Sequence, residues 1–138
     1  MSWDIFVMDI PLSATSADTV PSDWVPGPIP MREEILRAII EVDPTADLSD
    51  PSWVRVNGAG FSVEVNIGKE CPLTNFTCHV RGGDYSIGFI ADLLARLKLR
   101  AFDPGSATGI FDPATASESL ARWREYRAQM LKLPGAGE

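Results

Sequence analysis

The sequence is poor in the residues that build much of small-protein chemistry. It holds two cysteines, Cys71 and Cys78, and one histidine, His79, in 138 residues. A structural zinc site draws on four ligands in tightly spaced pairs, which two cysteines separated by six residues do not supply. Cys78 falls at an apolar strand position and Cys71 beside a turn proline, so a reduced pair is expected. No apolar run reaches the roughly 18 residues that span a bilayer. The first nine residues are acidic and lack the basic flank of a secretory signal. Together these predict a cytoplasmic protein with no membrane partner. The Asn75-Phe76-Thr77 glycosylation triplet is then a chance match.

Basic residues are also scarce. Twelve Lys and Arg face nineteen Asp and Glu, for a net charge of −7. No segment interleaves bases with aromatics, and Glu118 and Glu125 break up Arg122, Arg124, Arg127 and Lys132. Nucleic acid is therefore not expected as a partner. Arg81-Gly82-Gly83-Asp84 could offer free amides to an anion, but it lacks the Lys-Ser/Thr pair of a phosphate loop. No cofactor and no metal are expected. The acidity is uneven: residues 1–50 carry ten acids against Arg32 and Arg37, a net of −8, while residues 51–138 come to +1. Such a field attracts basic partners and also serves simple solubility.

What is present suits one globular unit. Apolar residues are 45% and charged residues 22%, so disorder is not the default. The length permits a core without staples. A single domain is expected over 1–133, with a disordered tail at 134–138.

Residues 3–8 alternate, Trp3, Ile5 and Val7 against Asp4, Phe6 and Met8, which predicts a strand. Residues 11–30 contain Pro21, Pro26, Pro28 and Pro30 and must form a long loop, with Trp24 and Val25 pinning it to the body. A helix is expected over 31–42, with Ile35, Leu36, Ile39 and Ile40 as its stripe and Glu33 and Glu34 in its first turn. Residues 53–56, 61–67 and 75–80 alternate and are split by turns, which predicts a three-strand meander. A second helix is expected over 84–98 with Asp84 as its N-cap, then a short hairpin over 99–111. The last helix should start at Asp112-Pro113 and bury Leu120, Trp123, Tyr126 and Met130. The predicted class is α+β: a mainly antiparallel sheet with about three helices largely on one face. The other face would carry Ser62, Glu64, Asn66, Thr77 and His79 in the open.

Several phrases are similar to small bacterial proteins. They are Ser2-Trp3-Asp4-Ile5-Phe6-Val7, Asp50-Pro51-Ser52-Trp53, His79-Val80-Arg81-Gly82-Gly83, and Ala101-Phe102-Asp103 followed by Thr108-Gly109-Ile110-Phe111. The last resembles the strand–turn–strand ending of immunity-type proteins of polymorphic toxin systems. The resemblance touches about a fifth of the chain. It brings no catalytic residue with it.

Three functions follow as expectations. The first is a non-enzymatic, immunity-like interaction domain that binds a basic protein through its acidic N-terminal half. Asp23, Trp24, Asp47, Asp50 and Trp53 are its contact candidates, since aromatics flanked by acids can anchor a basic surface. The second is a small enzyme or ligand-binding domain near His79, with Glu64 and Asp84 as catalytic companions. The third is a structural homodimer built on a sheet face or strand edge. Asp4, Glu64, Asp103 and Asp112 are also conceivable converging carboxylates, although Asp103 and Asp112 each precede a proline, where turn chemistry suffices.

Overall fold

The alternation at the N-terminus produces β1 (Trp3–Met8), whose Trp3, Ile5 and Val7 are buried while Asp4, Phe6 and Met8 are half-exposed. The computed structural model describes residues 2–132; the tail expected at 134–138 lies outside them. The chain continues through α1 (Arg32–Val42), β2 (Trp53–Gly58), β3 (Phe61–Ile67), β4 (Phe76–Gly82), α2 (Tyr85–Leu97), β5 (Arg100–Phe102) and α3 (Ala116–Lys132). The strands form one sheet in the order β2-β3-β4-β1-β5, and every pairing is antiparallel. The fold is α+β. The meander β2–β4 is extended by β1, which inserts between β4 and β5.

One face of the sheet is apolar because each strand keeps period two. Val54, Val56, Val63, Val65, Ile67, Phe76, Cys78, Val80, Trp3, Ile5 and Val7 are all 3% exposed or less. The helices supply Ile35, Ala38 and Ile39 from α1, and Phe89, Ile90, Leu93 and Leu94 from α2, to the same core. Each fully buried Val, Leu, Ile or Phe among them contributes roughly 1.5–3 kcal/mol of transfer free energy.

The second face divides in two. Over β1 and β5 it carries Met8 and Phe102, which pack with Ile10, Ala14, Val20, Trp24 and Ile110 in a separate cluster. The proline-rich loop therefore covers this half. Arg100 fixes it by donating to the carbonyls of Pro11 and Ala14. Ala17 N–H donates to Thr108 at 2.7 Å, and Ile29 N–H to Leu73 at 2.8 Å. Trp24 meets Phe102 edge-on at 6.2 Å, as the pinning expectation required, whereas Val25 is 77% exposed. The half of the second face over β2–β4 is uncovered.

The short hairpin expected over 99–111 is present as β5 and a return at Ile110-Phe111, joined by the Phe102–Ile110 bridge and by bonds from Asp103 N–H to Gly109 and from Phe111 N–H to Ala101. Three local expectations are corrected. Asp84 makes no side-chain cap bond on α2; it lies 3.3 Å from Arg124 instead. Asp112 caps the turn at Ala114 rather than a helix, and α3 begins at Ala116. The α3 stripe is covered unevenly: Ala116, Ser119 and Leu120 are buried, Trp123 and Met130 half-buried, and Tyr126 is 53% exposed. Arg124 holds α3 to the end of β4 through two bonds to the Gly82 carbonyl. Gly82 has φ +101°, and a Cβ there would run into the Gly60 carbonyl, so the crossing requires glycine.

Candidate functional site

The sheet register aligns polar residues that are far apart in sequence. Arg55 faces Glu64, Glu64 faces His79 and His79 faces Asp4 across four strands. All four side chains point to the second face. Trp53, one position along, stacks on His79 with centroids 5.5 Å apart and planes 26° apart. His79 Nδ1–H donates to Asp4 Oδ1 at 2.8 Å. Arg81 lies 3.3 Å from Glu64. Of the three catalytic candidates, then, His79 and Glu64 are neighbours, but Asp84 is drawn away to Arg124. The carboxylate on His79 is Asp4, supplied by β1 from 75 residues away. Sequence proximity pointed to the wrong acid.

The chemistry of this row is limited. Ser2 Oγ also donates to Asp4 Oδ1, so the order is serine, carboxylate, histidine, with the carboxylate in the middle. A hydrolase triad requires the histidine in the middle, accepting the hydroxyl proton. Cys78 faces the opposite side, and burial pushes its thiol up to about 12, which suppresses the thiolate. Among the described residues, no three His, Cys, Asp or Glu side chains are grouped to hold a metal ion. A cleft beside this row is lined by Asp4 but not by His79.

That cleft of about 420 Å³ lies between β1, the turn at 103–105 and α3. Trp3, Phe6, Trp123 and Tyr126 line it with rings, and Asp4, Asp103, Ser119 and Arg122 with polar groups. Its volume falls in the range of small-ligand sites, roughly 300–1,000 Å³. Asp103 is fully buried. Its Oδ1 accepts Trp3 Nε1–H at 3.0 Å and Gly105 N–H at 3.1 Å, which closes the turn. Its Oδ2 has no partner among the described residues, and neither do Ser119 Oγ or Trp123 Nε1. Turn chemistry thus accounts for one carboxylate oxygen and not the other. Sequence reading identified Asp103 as a turn residue but missed Ser119 altogether. A usable signal was present in Trp3 and Trp123, because an indole N–H taken out of water needs an acceptor.

The interaction candidates separate into two places. Asp47 exchanges two backbone bonds with Arg55, and the Asp50 carbonyl accepts Trp53 N–H, so Asp47, Asp50 and Trp53 share the β2 edge. Asp23 and Trp24 belong to the loop that covers β5, at the far edge of the sheet. Two hydrogen bonds from Ser49, side chain first and then backbone, hold the Asp47 carboxyl below its ordinary value. Glu33, Glu34 and Glu41 border a groove between α1 and α2 with Arg37 and Arg96, and Glu41 pairs with Arg96 at 2.9 Å. The outer edges of β2 and β5 each carry a bridge, to Asp47 and to Ile110, so both sheet edges are partly occupied from within the chain. No helix is long and apolar enough to cross a membrane among the described residues. No family model, no curated protein and no solved structure matches the chain.

Proposed function

We propose that the protein is a non-enzymatic interaction domain that binds a basic protein through carboxylates of its first fifty residues. One observation carries this reading. Of the ten acids there, only Asp4 and Glu41 have an ion-pair partner among the described residues. The other eight are Asp9, Asp18, Asp23, Glu33, Glu34, Asp43, Asp47 and Asp50, and all but Asp43 are exposed. Unpaired surface charge of one sign contributes little to folding and much to the rate and selectivity of encounter. The resemblance of Ala101-Phe102-Asp103 and Thr108-Gly109-Ile110-Phe111 to immunity-type endings makes a toxin domain the favoured kind of partner. The arrangement around His79 supports the same reading, since its groups are committed to each other and lack a reaction geometry.

The test compares the full chain with a variant carrying Glu33→Lys, Glu34→Lys, Asp47→Lys and Asp50→Lys. Both are immobilised and exposed to host-cell extract at about 50 mM and about 200 mM salt, where screening changes severalfold in strength. The expected result is a basic protein retained by the unaltered chain, weakened by salt and lost from the variant. Retention of no protein at either salt, or of one insensitive to both salt and charge reversal, would refute the reading.

A further inference from the structure

We infer that the cleft between β1, the 103–105 turn and α3 is a binding site for a guanidinium group. The inference rests on the cleft alone and not on the surface carboxylates. Its floor is Asp103, 0% exposed, and Ser119, 1% exposed. Oδ2 of the first and Oγ of the second lack partners within the protein. A buried carboxylate oxygen without a donor is expensive, and a cation with several N–H groups is the species that satisfies it best. Asp4 adds a second carboxylate to the lining, its Oδ1 already accepting from Ser2 and His79.

The walls select among cations. Trp3, Phe6, Trp123 and Tyr126 present flat apolar rings. A planar guanidinium stacks on such surfaces and gives up its hydration more readily than a compact ammonium. Within the molecule itself the Arg127 guanidinium lies 5.8 Å from the Trp123 ring centre. Gly105 packs closely against this floor: a Cβ there would lie 3.0 Å from Ser119 Oγ and 3.5 Å from Asp103 Oδ1. Trp123 Nε1–H is a donor and asks for an acceptor on the ligand. Arg122 is the opposing feature, a cation at an exposed position of the lining with no ion pair among the described residues. A guanidinium with a carbonyl nearby, as in an arginine residue, meets the carboxylates, the indole N–H and Arg122 together. A free small guanidinium compound shares the charged group without the carbonyl.

The four tryptophans make a direct readout. Indole N–H signals of the full chain are followed by NMR during titration with methylguanidinium, with N-acetyl-arginine amide and with N-acetyl-citrulline amide, the uncharged isostere. The expected result is that Trp3 and Trp123 shift while Trp24 and Trp53 stay in place. The arginine amide should bind at least tenfold more tightly than the citrulline amide. Tighter binding of the arginine amide than of methylguanidinium would assign the site to an arginine residue; the reverse would assign it to a free guanidinium compound. Asp103→Asn keeps Oδ1 as an acceptor and removes the charge, and it should weaken binding at least tenfold with the Trp24 and Trp53 signals unchanged. Arg122→Gln should tighten it. No shift at Trp3 and Trp123 with any cationic probe, equal binding of arginine and citrulline amides, or undiminished binding to Asp103→Asn would each overturn the inference. None of these outcomes depends on whether a basic protein binds elsewhere.

Discussion

Asp103 offers a way to separate the two oxygens of one carboxylate by stability alone. Replacing it with alanine strands two buried donors, Trp3 Nε1–H and Gly105 N–H. Each orphaned donor costs about 1–3 kcal/mol. Part of that is returned because a buried charge disappears, so Asp103→Ala should cost about 3 kcal/mol. Replacing it with asparagine keeps an oxygen in the Oδ1 position. Two charge-assisted bonds become neutral ones, at a loss of about 1 kcal/mol each. Against this, the amide NH2 that takes the place of the unpartnered oxygen is neutral, and a buried neutral group costs less than a buried charge, which recovers about 1–3 kcal/mol net. The two effects oppose each other, and Asp103→Asn should lie within about 1 kcal/mol of the unaltered protein. The assay is urea unfolding at neutral pH, followed by tryptophan fluorescence and far-UV circular dichroism to check that the transition is two-state. With m near 2 kcal/mol/M, the alanine variant should lose about 1.5 M in midpoint and the asparagine variant less than about 0.5 M. If asparagine costs as much as alanine, Oδ2 has a structural partner in the folded protein and the case for a spare acceptor collapses.

Three further outcomes follow from other parts of the fold. Leu120 is fully buried, whereas Tyr126, two turns on, is 53% exposed; Leu120→Ala should cost about 2–5 kcal/mol and Tyr126→Ala about 0.5 kcal/mol or less by the same urea assay. Comparable losses would mean that α3 is seated along its whole length. Alkylation of the native protein at about pH 8 should modify exposed Cys71 and spare Cys78, whose thiol burial pushes up to about 12; rapid modification of both would contradict the packing of β4. The Asp47 carboxyl is held below its ordinary 3.8 first by the Ser49 hydroxyl, so its small contribution to stability is present above that value and fades as pH falls through the lower folded one. Ser49→Ala should raise the Asp47 midpoint toward 3.8 in a carbon-13 titration of the side chain; an unchanged midpoint would assign the depression to another group.

Period-two alternation made four strands legible, because a one-residue slip would have turned Val63, Val65 and Ile67 to water. Their bounds were read nearly as they stand, from Trp3–Met8 to Phe61–Ile67. The two expected capping bonds are absent for different reasons, one tertiary and one local. Asp84 had the right place for an N-cap, yet the approach of α3 put Arg124 beside it. The Asp112-Pro113 pair had the composition of a helix start, yet Asp112 closed a turn with Ala114 and deferred the helix to Ala116. Nothing local distinguishes these outcomes, since Asp serves turns and caps with the same oxygen. The strand order was equally hidden. Insertion of β1 between β4 and β5 is a long-range event, and it alone decides that Asp4 rather than Asp84 meets His79.

The same insertion explains why the cleft could not be found by spacing. Asp103 and Trp3 are a hundred residues apart, and each has an ordinary local reason to exist. Trp3 continues the buried face of β1, and Asp103 closes a Pro-Gly turn. Only when β1 and β5 pair does the indole reach the carboxylate, and only when α3 closes in do Ser119 and Trp123 join Trp3 and Phe6 around it. Burial without satisfaction is then a property of the assembled fold and of no segment in it. A fold under selection for stability alone could place asparagine, threonine or serine at 103 and close the turn as well. Retaining a full negative charge there, beneath four aromatic rings and beside an unpartnered hydroxyl, is the kind of local cost that persists where a ligand removes it.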